Sequence, residues 1–192
     1  MIIPKLETKR LILRPLIVSD AKAITKYLQE PIFHKILSDL PNPYTIDDAK
    51  KYIKKSKNKI KRKYPTLTFG LYSKELKEII GIQSFGPIKN NRCHTGSFIG
   101  KPFWRKGLSS EARIEILKYL FNTLKLHKIC CEVRGYNIRS QKYIEKIGFK
   151  RQGIFRKNLK INNKWIDIYY YEILKEEFNY KKLIKKYKIY IL

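Results

Sequence analysis

The stretch FWRKGLSSEA at residues 103–112 constrains the fold more than any other part of the chain. Its two cations stand directly before a glycine, a leucine and two serines, where a long apolar-periodic run begins. A helix N-terminus is already the positive end of a dipole, so added positive charge there favours a negative ligand. Free N–H groups at a helix start bind phosphate, and Gly107 allows close approach of the backbone. The stretch therefore predicts a pyrophosphate-binding turn, with an ordinary charged strand–helix turn as the alternative. It matches neither the Walker pattern nor the dinucleotide fingerprint.

The remaining elements predict one α/β domain, because 192 residues without a linker or an internal repeat leave little room for a second core. Antiparallel hairpins occupy the middle of the chain, and one β-α-β unit carries the cationic turn. Parallel and antiparallel pairs must therefore coexist in one sheet. The predicted order is β-α-α-β-β-β-α-β-α-β-β. Strands are predicted at 6–14, 66–72, 78–85, 94–100, 128–134 and on both sides of a turn at Asn162 and Asn163, and helices at 19–29, from Thr45 onward, at 108–124 and at 138–147, with a loop at 31–43.

Positive charge dominates the composition, with 43 Lys and Arg against 16 Asp and Glu and a net charge of +27. A field of this sign attracts RNA, ribosomes or anionic cofactors. Lysine, isoleucine, asparagine and tyrosine are all abundant and share AT-rich codons, so genomic drift accounts for much of the charge. The lysines at 50–63 are interpreted as a solvated helix face, since no aromatic residues alternate with them as a polyanion-binding face would require.

The cysteines do not form a pattern typical of a disulfide framework or a zinc site. Cys93, Cys130 and Cys131 are odd in number and two are adjacent, so we interpret them as small buried or half-buried residues. The N-terminal stretch lacks the uninterrupted apolar segment of a secretory signal, and no apolar run is long enough to span a bilayer. We therefore expect a cytoplasmic protein without a metal or a membrane span.

Several stretches together resemble one known family. FWRKGLSSEA resembles the coenzyme A pyrophosphate loop of the GCN5-related N-acetyltransferase (GNAT) superfamily, and most closely its RimJ/RimL-like branch, which acetylates ribosomal-protein N-termini. The other stretches that resemble this branch, in the same order, are ETKRLILRPL, PYTIDDA, IIGIQSFGPI, the segment from LHKICCEVRGYN to GIFRK, and NNKWIDIYYYEIL. The resemblance makes residues 1–175 one acetyltransferase domain and leaves 176–192 as a basic amphipathic extension. That extension could dock on the domain, which is the commoner outcome, on a second subunit or on an anionic surface.

The resemblance implies a mixed, mostly antiparallel sheet with a V-shaped split that holds acetyl-CoA. The backbone of the strand before the turn would pair with the pantetheine arm, and the N–H groups of the turn would hold the pyrophosphate together with the Arg105 side chain. An amine would attack the thioester directly in a ternary complex, which needs no cysteine nucleophile. The implied cofactor-binding residues are Phe98, Ile99, Gly100, Arg105, Lys106, Gly107, Leu108, Ser109, Ser110 and Asn137.

Two residues are candidates for handling protons and developing charge. Ser140 matches the family's donor to the departing thiolate, although serine is also commonplace in a first helical turn, and Asn137 is equally a good helix N-cap. His94 stands in CHTGSFI where the branch usually has the glutamate of A-E-x-G-Y-W-I. Imidazole titrates near ~6.5 and can serve as a base. A half-exposed strand histidine without a role is the alternative.

The favoured acceptor is a protein N-terminal α-amine of a ribosomal-protein-like target, because a charge of +27 repels free polyamines and suits a target associated with RNA. The alternatives are a small-molecule amine (a polyamine, an amino sugar or an antibiotic) and a relative that binds CoA without catalysis. A different class is a non-catalytic basic RNA-binding protein, for which the sequence has no recognition motif. The oligomeric state is open between a monomer and a homodimer.

Overall fold

The chain folds around one sheet, and the computed structural model describes it over residues 2–37, 40–161 and 163–187. The strands are β1 Leu6–Glu7, β2 Leu11–Arg14, β3 Leu67–Ser73, β4 Glu78–Phe85, β5 Arg92–Ile99, β6 Lys128–Arg134, β7 Lys150–Ile161 and β8 Lys164–Leu174. The α-helices are α1 Ala21–Leu28, α2 Pro31–Ile36, α3 Ile46–Lys59, α4 Leu108–Lys118, α5 Ile138–Ile147 and α6 Tyr180–Tyr187.

The sheet has eight strands in the order β1-β2-β3-β4-β5-β6-β8-β7. Neighbouring strands are antiparallel except β5 and β6, which are parallel. A parallel pair needs a crossover connection, and α4 provides it between these two strands. The predicted mixed, mostly antiparallel sheet is confirmed, and the cationic turn lies in the unit β5-α4-β6.

Local capping chemistry sets the boundaries of two helices as predicted. Thr45 caps α3, because its side chain accepts the Asp48 N–H while the Asp48 carboxylate accepts the Thr45 N–H. Asn137 caps α5 by accepting the Ser140 N–H at 3.2 Å. Gly148 ends that helix in the left-handed region at φ +113°, where a side chain would be strained.

The structure differs from the sequence prediction in four places. The first predicted strand is two strands, β1 and β2, because Thr8 N–H donates to Leu11 O at 2.9 Å and closes a tight turn. The predicted loop at 31–43 contains α2, which begins with Pro31 in its first turn. The helix predicted to reach residue 124 leaves α geometry after α4 and continues as the π-helical turn Tyr119–Thr123. The strand before the last hairpin begins at Lys150 and is longer than predicted. Of the predicted turn residues there, Asn163 has φ +61° and Asn162 lies outside the described residues.

The helix α4 is the centre of the larger hydrophobic cluster. Its Ala112, Ile116 and Leu117 are fully buried against strand residues such as Phe69 and Ile129. Glu111 and Arg113 on the same helix are also buried, although a surface helix would expose charged positions. A second cluster forms where α1, α2 and α3 pack, around buried residues that include Ile24, Phe33 and Ile53.

The C-terminal extension docks on the domain through α6. Leu183 is buried there, Tyr180 donates its hydroxyl to Glu115 Oε2 at 2.8 Å, and Lys186 Nζ donates to Lys146 O at 3.0 Å. These contacts attach the extension to α4 and α5 as far as Tyr187, and residues 188–192 lie outside the described part. None of the helices in the described ranges combines the length and the apolar character needed to cross a membrane.

Candidate active site

The sheet splits between its two parallel strands. β5 and β6 are paired only from Arg92 to His94 on one side and from Lys128 to Cys130 on the other. Beyond this point β5 stays with β4 as far as Ile99, and β6 stays with β8 as far as Arg134. The two strands therefore diverge, which confirms the predicted V-shaped split.

A cavity of about 620 Å³ occupies the open end of the split. Its walls come from residues 97–99 of β5, from the cationic turn, from the start of α5 and from Phe33 and Ile36 of α2. Tyr187 of α6 also lines it, so the extension contributes to this cavity. Seven of the ten predicted cofactor-binding residues line the cavity, namely Phe98, Ile99, Arg105, Gly107, Ser109, Ser110 and Asn137.

The backbone of β5 alternates between its neighbour and the split. Gly100 N–H donates to Ile80 O and Gly86 N–H donates to His94 O, both at 2.8 Å, so the even-numbered residues of β5 face β4. The backbone groups of Ser97 and Ile99 consequently face the split, whereas the Gly100 amide is already used. The Ile99 carbonyl accepts the indole N–H of Trp104 at 2.8 Å. A pantetheine arm would therefore find its backbone partners mainly at Ser97 and at the Ile99 N–H.

The cationic turn presents a run of free amide groups. In the part of the chain that the structure describes, none of the N–H groups of residues 105–110 donates a hydrogen bond. Arg105 and Gly107 lie in the left-handed region, at φ +62° and +75°. Successive N–H groups in such a turn, together with the N-terminus of α4, form a concave anion site. The geometry thus fits the predicted pyrophosphate.

Two guanidinium groups lie at this turn. Arg139 of α5 stacks on the Trp104 ring at 3.2 Å from its centroid, and both Arg105 and Arg139 line the cavity. Burial and the nearby positive charge of Arg105 lower the pKa of Arg139. Arg105 and Arg139 repel each other, and an anion bound between their guanidinium groups would stabilise both charges.

A buried carboxylate holds the turn in place, which the sequence analysis missed. Glu111 accepts hydrogen bonds from the Thr8 hydroxyl at 2.6 Å and from the Arg10 backbone and Nε at 3.0 and 2.7 Å. Arg10 also donates from Nη1 to the Lys106 carbonyl at 3.0 Å. The β1–β2 hairpin is thereby fastened to the turn, since the carboxylate is satisfied and neutralised by these partners. In the sequence, the only indication of this role is that Glu111 is an acidic residue in the first turn of α4.

The predicted serines lie in different surroundings. Ser109 is fixed by Gln83 Nε2, which donates to its carbonyl at 3.0 Å, and by its own hydroxyl, which donates to Tyr143 OH at 2.9 Å. Ser110 is buried at the cavity wall. Ser140 is half-buried and also lines the cavity.

Three predicted residues do not line the larger cavity: Gly100, Lys106, whose carbonyl accepts a hydrogen bond from Arg10, and Leu108, which packs against the core.

His94 lies in a second cavity, of about 370 Å³, further along β5. Residues 94–96 line this cavity, next to those that line the larger one. Glu132 of β6 also lines it and is exposed. Its cross-strand neighbour is Tyr170, whose ring packs edge-on against His94 at 6.2 Å. Glu132 was not predicted from the sequence, where its one signal is a single acid inside the largely apolar strand KICCEVR.

The cysteines are free and buried, as predicted. Burial raises the pKa values of Cys93 and Cys131 to about 12, so both thiols are neutral near pH 7 and are poor nucleophiles. Among the described residues there is no group of three or more His, Cys, Asp or Glu side chains able to hold a metal ion.

An open sheet split beside a helix with free N-terminal amides forms a cleft suited to a donor that carries a pyrophosphate, such as an acyl-CoA. The model of the acetyltransferase (GNAT) domain matches residues 10–150, and the chain belongs to the GNAT family.

Relatives support the assignment at different levels. The uncharacterized N-acetyltransferase YnaD of Bacillus subtilis 168 is 32% identical over 174 residues, 90% of this chain and 98% of that protein. The [ribosomal protein uS5]-alanine N-acetyltransferase of Escherichia coli K12 is 31% identical over 102 residues, only 52% of this chain and 53% of that protein. The structure of Mycobacterium smegmatis RimJ in complex with CoA-disulfide has a TM-score of 0.84 at 17% identity and covers 96% of both chains, which establishes likeness of fold.

Proposed function

We propose that this acetyltransferase acts on the α-amine of a protein N-terminus, of the kind presented by ribosomal proteins. The observation that carries the proposal is the second cavity, which adjoins the donor cleft along β5 and is lined by His94 and Glu132. The partial similarity to a uS5-alanine acetyltransferase supports the same acceptor class.

The donor cleft fits a CoA thioester. Free amides at residues 105–110 and the cations of Arg105 and Arg139 would hold the pyrophosphate, and the exposed edge of β5 would hold the pantetheine arm. Asn137 lines the same cleft beside the start of α5. Acetyl-CoA supplies the acyl carbon that the amine attacks and a sulfur that leaves as a thiolate.

His94 is proposed to take the proton that the amine loses on attack. The nitrogen–carbon bond forms, the carbon–sulfur bond breaks, and the electron pair leaves with the sulfur. Ser140 is proposed to donate a hydrogen bond to that sulfur, since it lines the cleft and has its hydroxyl free for a ligand. Glu132 would attract the ammonium form of the acceptor into the small cavity.

The charges around the small cavity favour a peptide over a polyamine. Its lining contains one carboxylate, Glu132, together with the cation of Lys59. A polyamine carries several positive charges and would need several acidic partners. One amine at the end of an otherwise neutral backbone needs only one.

The experiment is an acceptor panel assayed with acetyl-CoA. It contains peptides with free N-termini, the same peptides with a blocked N-terminus and an internal lysine, and spermidine. We expect acetylation of the free N-termini, located by mass spectrometry, and little turnover of the other two. A preference for spermidine, or equal rates on blocked peptides, would overturn the proposed acceptor.

Ribosome association, a cytoplasmic location and the oligomeric state stay predictions. The net charge of +27 would attract ribosomal RNA over the whole surface of the protein. Binding of this kind depends steeply on salt, so a ribosome co-sedimentation series at rising ionic strength measures it.

A further inference from the structure

Arg113 is a buried cation without an acidic partner. It lies on α4 with 2% of its surface exposed, and it donates from Nη2 to Ser97 Oγ at 2.9 Å and from Nη1 to Thr95 Oγ1. No carboxylate of the described residues pairs with it, and its Nε has no hydrogen-bond partner. Its guanidinium lies over the rings of Phe85 and Tyr143, at 5.0 and 5.9 Å from their centroids. A buried charge is costly unless an opposite charge compensates it, so the arrangement indicates that negative charge arises nearby.

The hydroxyl groups of Thr95 and Ser97 both accept hydrogen bonds from Arg113, but they differ in whether their own protons are already donated to an acceptor. The Thr95 hydroxyl donates its own proton to the Ser84 carbonyl at 3.0 Å. The Ser97 hydroxyl has no acceptor for its proton within the described ranges, and Ser97 lines the donor cavity. Because the Ser97 oxygen already accepts from a guanidinium, its O–H is polarised and is free to donate to a ligand.

We propose that Ser97 donates a hydrogen bond to the negative charge that develops on the thioester group during acyl transfer, and that Arg113 is the positioning residue that orients and polarises this hydroxyl. The proposal rests on the donor cleft of the proposed function and does not depend on which amine is the acceptor. The charge develops on two atoms, the carbonyl oxygen and the leaving sulfur. Ser97 keeps its proton throughout, while the amine proton goes to the base.

Ser97 and Ser140 are distinguished by the charge behind them. Ser140 stands at the start of α5, and its backbone N–H is used by Asn137. No guanidinium donates to the Ser140 hydroxyl in the described part of the chain. Electrostatic stabilisation is strongest where an oriented donor is backed by a buried charge, which is the situation of Ser97.

The first test compares Ser97→Ala with Ser97→Thr, using any amine that the wild type accepts. Loss of a hydrogen bond to a charged group slows turnover by on the order of tenfold to a hundredfold. We expect that loss in kcat for Ser97→Ala, with the Kd for acetyl-CoA little changed, and recovery of most of the rate in Ser97→Thr. A wild-type rate in Ser97→Ala, or an equally slow Ser97→Thr, would overturn the proposal.

A double-mutant cycle tests the role of Arg113. Arg113→Gln should reduce kcat in the wild-type background and cause no further loss in the Ser97→Ala background, because Arg113 acts through Ser97. Losses that multiply would refute the positioning role. If Arg113→Gln does not fold, the Ser97 pair still decides the catalytic role.

A binding measurement separates the two atoms without turnover. The ultraviolet absorbance of the thiolate gives the pKa of the thiol of bound CoA, against ~8.5 for a free thiol. A lower thiol pKa in the wild type than in Ser97→Ala assigns the contact to sulfur, and an unchanged thiol pKa with reduced kcat assigns it to the carbonyl oxygen. No difference in either quantity sinks the proposal. Failure of the peptide panel with turnover of another amine would instead refute the acceptor alone.

Discussion

The proposed donor turn and the proposed acceptor cavity are built in different ways, although they adjoin along β5. The proposed donor turn is one contiguous stretch, and the groups proposed to bind the donor are the backbone amides of residues 105–110. The proposed acceptor cavity is assembled from side chains of separate segments, including Lys59 at the end of α3, His94 on β5 and Glu132 on β6.

The difference shows which part of the site tolerates substitution. A backbone site depends on conformation and on the absence of a side chain, so its critical residue is Gly107. A side-chain site depends on charge and proton affinity, so we expect His94 and Glu132 to be its critical residues.

The largest effect is expected at the donor turn, for Gly107→Val. A side chain there would obstruct the approach of the pyrophosphate to the amides, and loss of two charge-assisted hydrogen bonds weakens binding by at least about a hundredfold. The variant also loses stability, by about 1–2 kcal/mol, because Gly107 has φ +75°. Isothermal titration with CoA and thermal melts measure the two effects separately.

Gly148→Val is the matched control for this prediction. Gly148 also has a positive φ, +113°, but it ends α5 away from the donor turn. Its variant should melt earlier and bind CoA as the wild type does. Equal CoA affinities in the two variants would mean that the turn does not hold the donor.

An intermediate effect is expected in the acceptor cavity, for His94→Ala. A general base matters most while the amine is protonated, so the loss in kcat/KM for a peptide should be on the order of tenfold or more near pH 6.5. It should shrink as pH rises through the α-amine pKa of ~7.7–8.0, where neutral amine becomes abundant. The pH–rate profile measures this.

His127→Ala provides the control, since His127 is exposed just before β6 and outside both cavities. It should follow the wild-type profile. A His94→Ala profile that coincides with the wild type from about pH 6 to about pH 9 removes His94 from the mechanism.

The smallest effect is expected for Glu132→Gln. One exposed carboxylate contributes about 0.2–1 kcal/mol to holding a cation, so the KM for the peptide should rise by about 1.4- to fivefold with kcat little changed. Glu75→Gln, which changes the net charge equally in the β3–β4 turn, should leave that KM unaltered. If both variants raise KM alike, the effect belongs to overall charge and the cavity assignment of Glu132 is wrong.

Local sequence patterns predicted much of the fold. The start of α3 followed from Thr45 and the two ends of α5 from Asn137 and Gly148, because capping is decided within a few residues. The break between β1 and β2 and the short helix α2 were missed. The break between the strands depends on one local hydrogen bond, and α2 begins at a proline. Apolar periodicity reveals neither feature.

The residues of the candidate site likewise fall into those that the local sequence predicts and those that only tertiary packing brings together. FWRKGLSSEA alone indicates the anion-binding turn, since the conformation of a turn and the start of a helix depend on adjacent residues. The burial of Arg113, the meeting of Glu132 with His94 and the approach of Tyr187 to the donor cavity each join segments far apart in the chain. Side chains of such segments meet only in the folded chain, where β5 and β6 diverge and α6 packs on α4 and α5. Packing between distant elements, and not local preference, therefore fixes what these side chains contact.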